Sequence, residues 1–168
     1  MSKKIYILSL IVFITDQITK SLISTYLKLN ESITIKKDIL YIRYINNKGA
    51  SWGILEDNRI LLIILSVVAI VIIFRYSYSF KKTKLNTYGF GLLLGGILGN
   101  LSDRLIYGYV KDFIDIIIFR YDFPVFNIAD IGIVIGVILL IISIIKGEDN
   151  CGSKSRRKWC KNRQIFIC

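Results

Sequence analysis

Four long apolar segments dominate the pattern of hydrophobic and polar positions along the chain. They cover roughly residues 5–24, 58–78, 86–107 and 125–145. Each approaches the ~20 residues that a helix needs to cross the hydrocarbon core of a bilayer. The clearest stretch, ILLIILSVVAIVIIF at 60–74, carries no charge. The pattern therefore predicts an all-α membrane protein with four transmembrane helices.

The segment between the first two apolar stretches has a different pattern. In ITIKKDILYIRYI (33–45), β-branched and aromatic residues alternate loosely with polar ones, which is typical of short strands. The small-residue stretch NNKGASWGIL (46–55) follows directly. We expect a small extracytoplasmic β-rich region at about 28–56 that rests on the membrane near a site. The alternative is a surface loop with Trp52 at the level of the lipid headgroups.

The distribution of positive charge predicts the orientation in the membrane. The chain is 54% hydrophobic and has a net charge of +11. The N-terminus, the loop between the second and third spans and the tail after residue 145 together carry 13 lysine and arginine residues, against 9 on the other side. Because lysine and arginine favour the cytoplasmic side, we expect both termini there. We also expect an uncleaved first span, because the polar and bulky residues TDQITKSLI (15–23) offer no small-residue cleavage site.

The amino-acid content limits the chemistry that the protein can perform. The chain has no histidine, which excludes a serine–histidine triad, a cysteine–histidine pair and a histidine metal helix. All three cysteines lie in the segment 147–168, which we expect to be a basic cytoplasmic tail against anionic lipid. Reduced thiols at wide spacing make a poor zinc site. We expect no metal, no cofactor and no nucleic-acid partner.

Polar residues within the apolar segments predict a shared site. These residues are Asp16, Lys20, Asn100, Asp103, Arg104, Asn127 and Asp130. Counted along the predicted helices, all of them fall towards the outer membrane surface, and Asp112 follows the Gly108 break at the same level. Asp16 and Lys20 are one helical turn apart and can pair. Ionisable groups within spans are costly and are functional candidates, although a structural pair plus interfacial residues at helix ends is the alternative.

Two aspartates are the obvious acid–base pair in a protein without histidine. Two facing carboxyl groups share one proton, because both cannot ionise at low cost. The charged one can activate a water molecule and the neutral one can protonate a carbonyl oxygen. The residues leave two pairings open, Asp112 with Asp130 or Asp103 with Asp112.

Four motifs in order resemble those of the lipoprotein signal peptidases, the signal peptidase II family, over nearly all of 1–146. They are TDQITK (15–20), NNKGASWGIL (46–55), GGILGNLSDRLIYGYVKDF (95–113) and FNIAD (126–130). In the second motif, Asn47, Gly49 and Ala50 fit the family pattern, with Trp52 where phenylalanine is usual. The tail 147–168 has no counterpart.

The resemblance implies an intramembrane aspartic endopeptidase that cuts prolipoproteins just before a diacylglyceryl-modified cysteine. The domain would cover 1–146, in the bacterial cytoplasmic membrane, acting as a monomer in contact with lipid. The implied catalytic pair is Asp112 and Asp130.

The resemblance also implies roles for the remaining polar residues. Asn100, Arg104 and Asn127 would order the site or hold the substrate, and Asp103 would be a structural partner to Arg104. Asp16 and Lys20 would brace the site from the first span. Asn47 and Gly49 would position the outer loop over the substrate.

A small membrane transporter or proton pathway is the alternative function. It would also use buried acids and a lysine. A pathway needs polar residues at several depths, however, and the inner halves of the predicted spans carry almost none. A membrane scaffold with a merely structural polar cluster is a third interpretation.

Overall fold

A computed structural model describes residues 2–49, 58–119 and 121–148 of the chain. The helices are α1 (Lys3–Tyr26), α2 (Arg59–Ser77), α3 (Lys84–Ile106) and α4 (Ile128–Ile145). The strands are β1 (Ser32–Lys36), β2 (Leu40–Asn47), β3 (Val110–Ile118) and β4 (Tyr121–Asp122). Ala50, Trp52 and nearly all of the predicted tail lie outside the described residues.

Within the described residues, three helices are long and apolar enough to cross a membrane. These are α1, α2 and α4. The 23-residue α3 is long enough but is not among them, because its glycines and its polar last turns lower its hydropathy. The prediction of four spans is therefore not confirmed. Large apolar side chains are exposed on the outer faces of α1, α2 and α4. Examples are Ile7, Val71 and Val134, whose exposed fractions are 59%, 60% and 58%, and such surfaces suit a hydrocarbon environment.

The strands of the predicted β-rich region are confirmed, but the fold is mixed rather than all-α, since they extend into one antiparallel sheet in the order β1-β2-β3-β4. The first two strands lie inside the predicted β-rich region, but β3 and β4 follow α3. At Gly108 the backbone has φ +87°, a conformation that glycine adopts readily, and the chain turns from α3 into the sheet. The run VKDFIDIII is rich in β-branched residues, which explains why it forms a strand there.

Glycines in α3 allow the helices to pack closely. A Cβ at Gly95 would lie 2.6 Å from the carbonyl oxygen of Ser9 on α1, and one at Gly96 would clash with the carbonyl oxygen of Ala129 on α4. Only residues without a side chain permit such approach. α3 is therefore the central helix, packed against each of the other three.

The helix directions bring four helix ends and the sheet together. Gly91 of α3 lies against Leu8 and Gly99 against Asp16, so α1 and α3 run in the same direction. α4 runs the opposite way, because Gly96 meets Ala129 while Gly89 meets Leu140. The apolar core around Ile5, Ile73, Phe90, Leu94 and Ile97 lies towards the far end. We call the end that carries the sheet the site end.

Candidate active site

A buried ion cluster joins α1 to α3 at the site end. The Lys20 ammonium lies 2.8 Å from Asp16 Oδ2 and 3.1 Å from Asp103 Oδ2, and it donates to Asn100 Oδ1 at 2.9 Å. The Lys20, Asp16 and Asp103 side chains are all at most 1% exposed. The predicted pairing of Asp16 with Lys20 is confirmed. Burying charged groups costs desolvation free energy, which is offset only by close ion pairing and further hydrogen bonds. Two carboxylates around one ammonium, with hydrogen bonds from neighbouring groups, provide both.

Asp16 also connects α1 to the first turn of α4. Its Oδ1 accepts a hydrogen bond from the backbone N–H of Ala129 at 2.9 Å. The first N–H groups of a helix have no partner within the helix, and the helix dipole favours a negative charge there. A carboxylate on one helix therefore fixes the start of another, and that start carries Asp130.

Asp103 does not pair with Arg104 as predicted. Its carboxylate contacts Lys20, accepts from Gln17 Nε2 at 3.1 Å and accepts from the Lys111 backbone N–H at 3.2 Å. Arg104 instead donates to the carbonyl oxygen of Gly49 at 3.2 Å. Consecutive helix residues point about 100° apart, so Asp103 faces α1 while Arg104 faces the other side of α3.

Asp112 lies on β3 and is held by two amide side chains. Asn47 Nδ2 of the neighbouring strand donates to Oδ2 at 2.8 Å, and Asn127 Nδ2 donates to Oδ1 at 2.6 Å. The residue is 1% exposed. Burial, and then the nearby Asp130 charge, raise its pKa to about 7, although the hydrogen bonds from Asn47 and Asn127 oppose the shift. Asp112 can therefore keep a proton near neutral pH.

Asp130 is held in the first turn of α4. Asn100 Nδ2 donates to its Oδ1 at 2.7 Å, and the backbone N–H of Asn127 donates to its Oδ2 at 3.1 Å. In return, Asn127 Oδ1 accepts from the Asp130 backbone N–H at 3.0 Å, which completes a capping box. The turn thus fixes the direction of the carboxylate.

Asp112 and Asp130 line one cavity of about 300 Å³ between α2, α3, α4 and the sheet. We call it the site cavity. Its polar wall also includes Asn47, Asn100 and Arg104. Its apolar wall is formed by Leu62, Leu65, Ala69, Ile97, Val110, Val125 and Ile133. A pair of carboxyl groups in such a cavity can act as acid and base on a bound apolar chain.

All ten predicted site residues lie at the site end, but in two groups. Asn47, Asn100, Arg104, Asp112 and Asp130 line the site cavity, and Asn127 bonds to both aspartates. Gly49 adjoins this group, since its N–H donates to Asn47 Oδ1 at 2.9 Å. The second group, Asp16, Lys20 and Asp103, forms the ion cluster behind the cavity. This geometry favours Asp112 with Asp130 over Asp103 with Asp112.

Sequence reasoning missed Gln17. Its Nε2 lies 3.2 Å from Asp16 Oδ2, 3.1 Å from Asp103 Oδ1 and 3.3 Å from the Gly99 carbonyl oxygen. It therefore ties the two carboxylates of the ion cluster together. An amide side chain beside Asp16 in an apolar segment was the available signal.

The chain resembles known proteins over most of its length. Residues 8–146 match the profile of the family described as Signal peptidase (SPase) II. A protein of Halothermothrix orenii described as a lipoprotein signal peptidase is 43% identical over 144 residues, which cover 86% of this chain and 97% of that relative.

Two solved structures are also similar. One, a bacterial membrane enzyme determined by the in meso method at 2.3 Å resolution, has a TM-score of 0.75 and 39% identity, covering 89% of this chain and 92% of that one. The other, a bacterial membrane enzyme determined by the same method at 1.9 Å resolution, has a TM-score of 0.73 and 37% identity, covering 84% and 92%. On these likenesses, the chain belongs to the signal peptidase II family.

Proposed function

We propose that this protein is an aspartic endopeptidase of the bacterial cytoplasmic membrane that removes signal peptides from prolipoproteins. It would cut just before a diacylglyceryl-modified cysteine, with Asp112 and Asp130 as the catalytic pair. Family membership supports the reaction. The observation that carries the assignment of residues is the shared cavity, in which, among the described residues, Asn127 bonds to both carboxyl groups, Asn47 only to Asp112 and Asn100 only to Asp130.

The surroundings of the two aspartates support different roles for them. Asp112, with its pKa near 7, holds the proton, while Asp130 is ionised and its charge is stabilised by the N–H groups of Asn100 and Asn127. Asp130 takes a proton from a water molecule, whose oxygen attacks the scissile carbonyl carbon. Asp112 gives its proton to the carbonyl oxygen.

The second half of the reaction restores the starting protonation of both aspartates. The tetrahedral intermediate collapses, the C–N bond breaks, and the proton on Asp130 goes to the leaving nitrogen. The hydroxyl proton of the intermediate returns to Asp112 as the carbonyl forms again. The starting protonation is then regenerated, and the whole cycle consumes one water molecule and uses only this chain's carboxyl groups.

The position of the site cavity suits a substrate that is anchored by lipid. The cavity lies where the helix ends meet the sheet, and one of its walls is apolar. A diacylglyceryl group that stays in the bilayer would hold the scissile bond at that depth, which supplies part of the rate by proximity. The proposal includes a fourth span formed by α3, both termini in the cytoplasm, the segment 147–168 as a cytoplasmic tail, and action as a monomer.

A cleavage assay with two forms of one precursor tests this function. The purified protein in detergent is given a prolipoprotein with a diacylglyceryl-modified cysteine, and the same precursor with the cysteine unmodified. We expect cutting of the modified form alone, with mass spectrometry placing the new N-terminus at the modified cysteine. Equal cutting of both forms, or a cut elsewhere, would contradict the proposal. The transporter alternative is not favoured, given the family.

A further inference from the structure

A second cavity lies on the opposite flank of α2 from the site cavity. It is a groove of about 540 Å³ between α1, α2 and α3, which we call the α2 groove. Ile70 and Phe74 of α2 line this groove, whereas Leu62, Leu65 and Ala69 line the site cavity. One helix therefore separates two cavities, and of the other helices it packs closely only against α3.

The side chains that line the α2 groove favour a slender apolar occupant over another helix. Most are large, as in Leu10, Phe13, Leu98 and Leu105, and the small ones, Ser9 and Ser102, lie on different helices. Close docking of a transmembrane helix is favoured by small residues spaced four apart on one helix. A flexible acyl chain has no backbone to accommodate and can follow the irregular wall. The protein belongs to a membrane family, so acyl chains surround it.

A positive group lies where the α2 groove reaches the site end. The exposed Arg59 begins α2, and its Nη2 donates to the carbonyl oxygen of Leu105, a groove residue, at 3.0 Å. The first turn of α2 has no acidic residue, and the preceding Asn58 makes no capping hydrogen bond with its side chain. The guanidinium and the N–H groups of this turn, which no side chain caps within the described residues, together are suited to a phosphate.

We propose that the α2 groove binds one acyl chain of a membrane phospholipid, whose phosphate contacts Arg59 and the first turn of α2. The apolar lining and the cation at one end match the two parts of such a lipid. The bound chain fills space that α1 and α2 leave between them and supports α2 from the side opposite the site cavity. The wall of the site cavity formed by α2 then depends on a lipid that is not the substrate.

Lipid retention measures this site independently of any peptidase activity. The full-length protein is taken from nanodiscs of phosphatidylglycerol, and the lipids that remain bound are counted by native mass spectrometry. Ser102→Phe adds a ring inside the groove, and Leu98→Phe is a second groove variant in case the first fails to fold. The matched control is Val68→Phe, since Val68 is 47% exposed and lines neither cavity.

We expect one retained phospholipid per wild-type chain, retention about tenfold lower in the groove variants, and wild-type retention in the control. Arg59→Gln should lower the retention of phosphatidylglycerol but not that of phosphate-free diacylglycerol. Equal retention by the groove variants and Val68→Phe would overturn the site. If Arg59→Gln reduced both lipids equally or neither, the phosphate contact would be refuted.

Discussion

At the scale of single residues, Asn127 connects the two aspartates of the site cavity. Its side-chain amide donates to Asp112, and its backbone N–H donates to Asp130. It is completely buried, and its Nδ2 also lies 3.1 Å from Asn100 Oδ1. One residue thus sets the direction of both carboxyl groups, through groups that cannot titrate at neutral pH.

The raised pKa of Asp112 leads to a prediction about pH. Its pKa is about 7 in the folded protein against an ordinary value of 3.8, so between these values the folded state binds more protons than the unfolded state. The stabilising effect of the neutral carboxyl is complete below about pH 4 and is lost as the pH rises to about 7. Relative to Asp112→Asn, the wild type should lose stability over this range.

Thermal unfolding of both proteins in detergent across this pH range measures the difference. Cleavage by the wild type should also fall above about pH 7, as Asp112 loses the proton that it donates. A stability difference that rises with pH would contradict the assigned protonation of Asp112.

Replacing Lys20 tests the ion cluster. Lys20→Met keeps most of the side-chain volume but leaves Asp16 and Asp103 as neighbouring buried carboxylates without a cation. Losing one partner of a buried ion pair typically costs about 3–5 kcal/mol of unfolding free energy. The control is Lys37→Met, because Lys37 is exposed, and it should change stability by under about 0.5 kcal/mol. Similar unfolding curves for the two variants would show that the cluster contributes little.

The residues of the site could be predicted in part. The one-turn spacing of Asp16 and Lys20 gives their pairing directly, and the common depth of the polar residues indicates that they meet. The partner of Asp103 could not be predicted, because that choice depends on which flank of α3 packs against α1. The hydrogen bonds of Gln17 across 82 and 86 residues depend on the same packing.

At the scale of elements, α3 holds the other helices at distances set by its glycines. The contact with α4 matters most for the site, because Gly96 lies against the turn of α4 that carries Ala129 and leads into Asp130. That contact is backbone against backbone, so it has no flexible side chain that could move aside.

Two glycine variants compare tight and looser contacts. In Gly96→Ala the new methyl group would clash with the Ala129 carbonyl oxygen and lie 2.8 Å from Ile133 Cγ1, whereas in Gly132→Ala its nearest neighbour, the Leu92 carbonyl oxygen, is 3.2 Å away. We expect Gly96→Ala to cost about 1–3 kcal/mol and to reduce cleavage, and Gly132→Ala to cost less. Thermal unfolding and cleavage rate measure both. An equal or larger effect at Gly132 would contradict the proposed role of the α3–α4 contact.

The elements could be predicted where a pattern is local. The strands β1 and β2 follow from the alternation at 33–45, and the helices follow from their apolar runs. The strand β3 was missed because it follows a predicted span and pairs with β2, more than 60 residues earlier in the chain. A short apolar run does not by itself reveal a distant partner strand.

At the scale of the whole molecule, the charge pattern and the fold agree on which loops and helix ends lie on the same side. The α2–α3 connection and the end of α4 meet away from the site end, since Lys81 Nζ donates to the Gly147 carbonyl oxygen at 2.7 Å. The basic residues of the N-terminus and of the α2–α3 connection, which the charge count places on one side, lie at that same end. Hydropathy thus predicts all four helices, whereas the status of α3 as a membrane span stays a prediction.

Cysteine labelling tests the orientation. In a variant whose three natural cysteines are replaced by serine, Lys37→Cys and Lys82→Cys each introduce one exposed thiol at opposite ends of the molecule. A reagent that cannot cross the membrane should label Lys37→Cys in spheroplasts and Lys82→Cys only after lysis. The reverse result would invert the proposed topology.

The assignment of Asp112 and Asp130 as the catalytic pair is tested most directly by cleavage of the lipid-modified precursor. Wild type is compared with Asp112→Asn and Asp130→Asn, and with Asp115→Asn as control, since Asp115 is a buried aspartate on the same strand that does not line the site cavity. We expect losses of about 10³-fold or more in both site variants and near wild-type cleavage by the folded control. Cleavage that survives in either folded site variant would contradict the assignment.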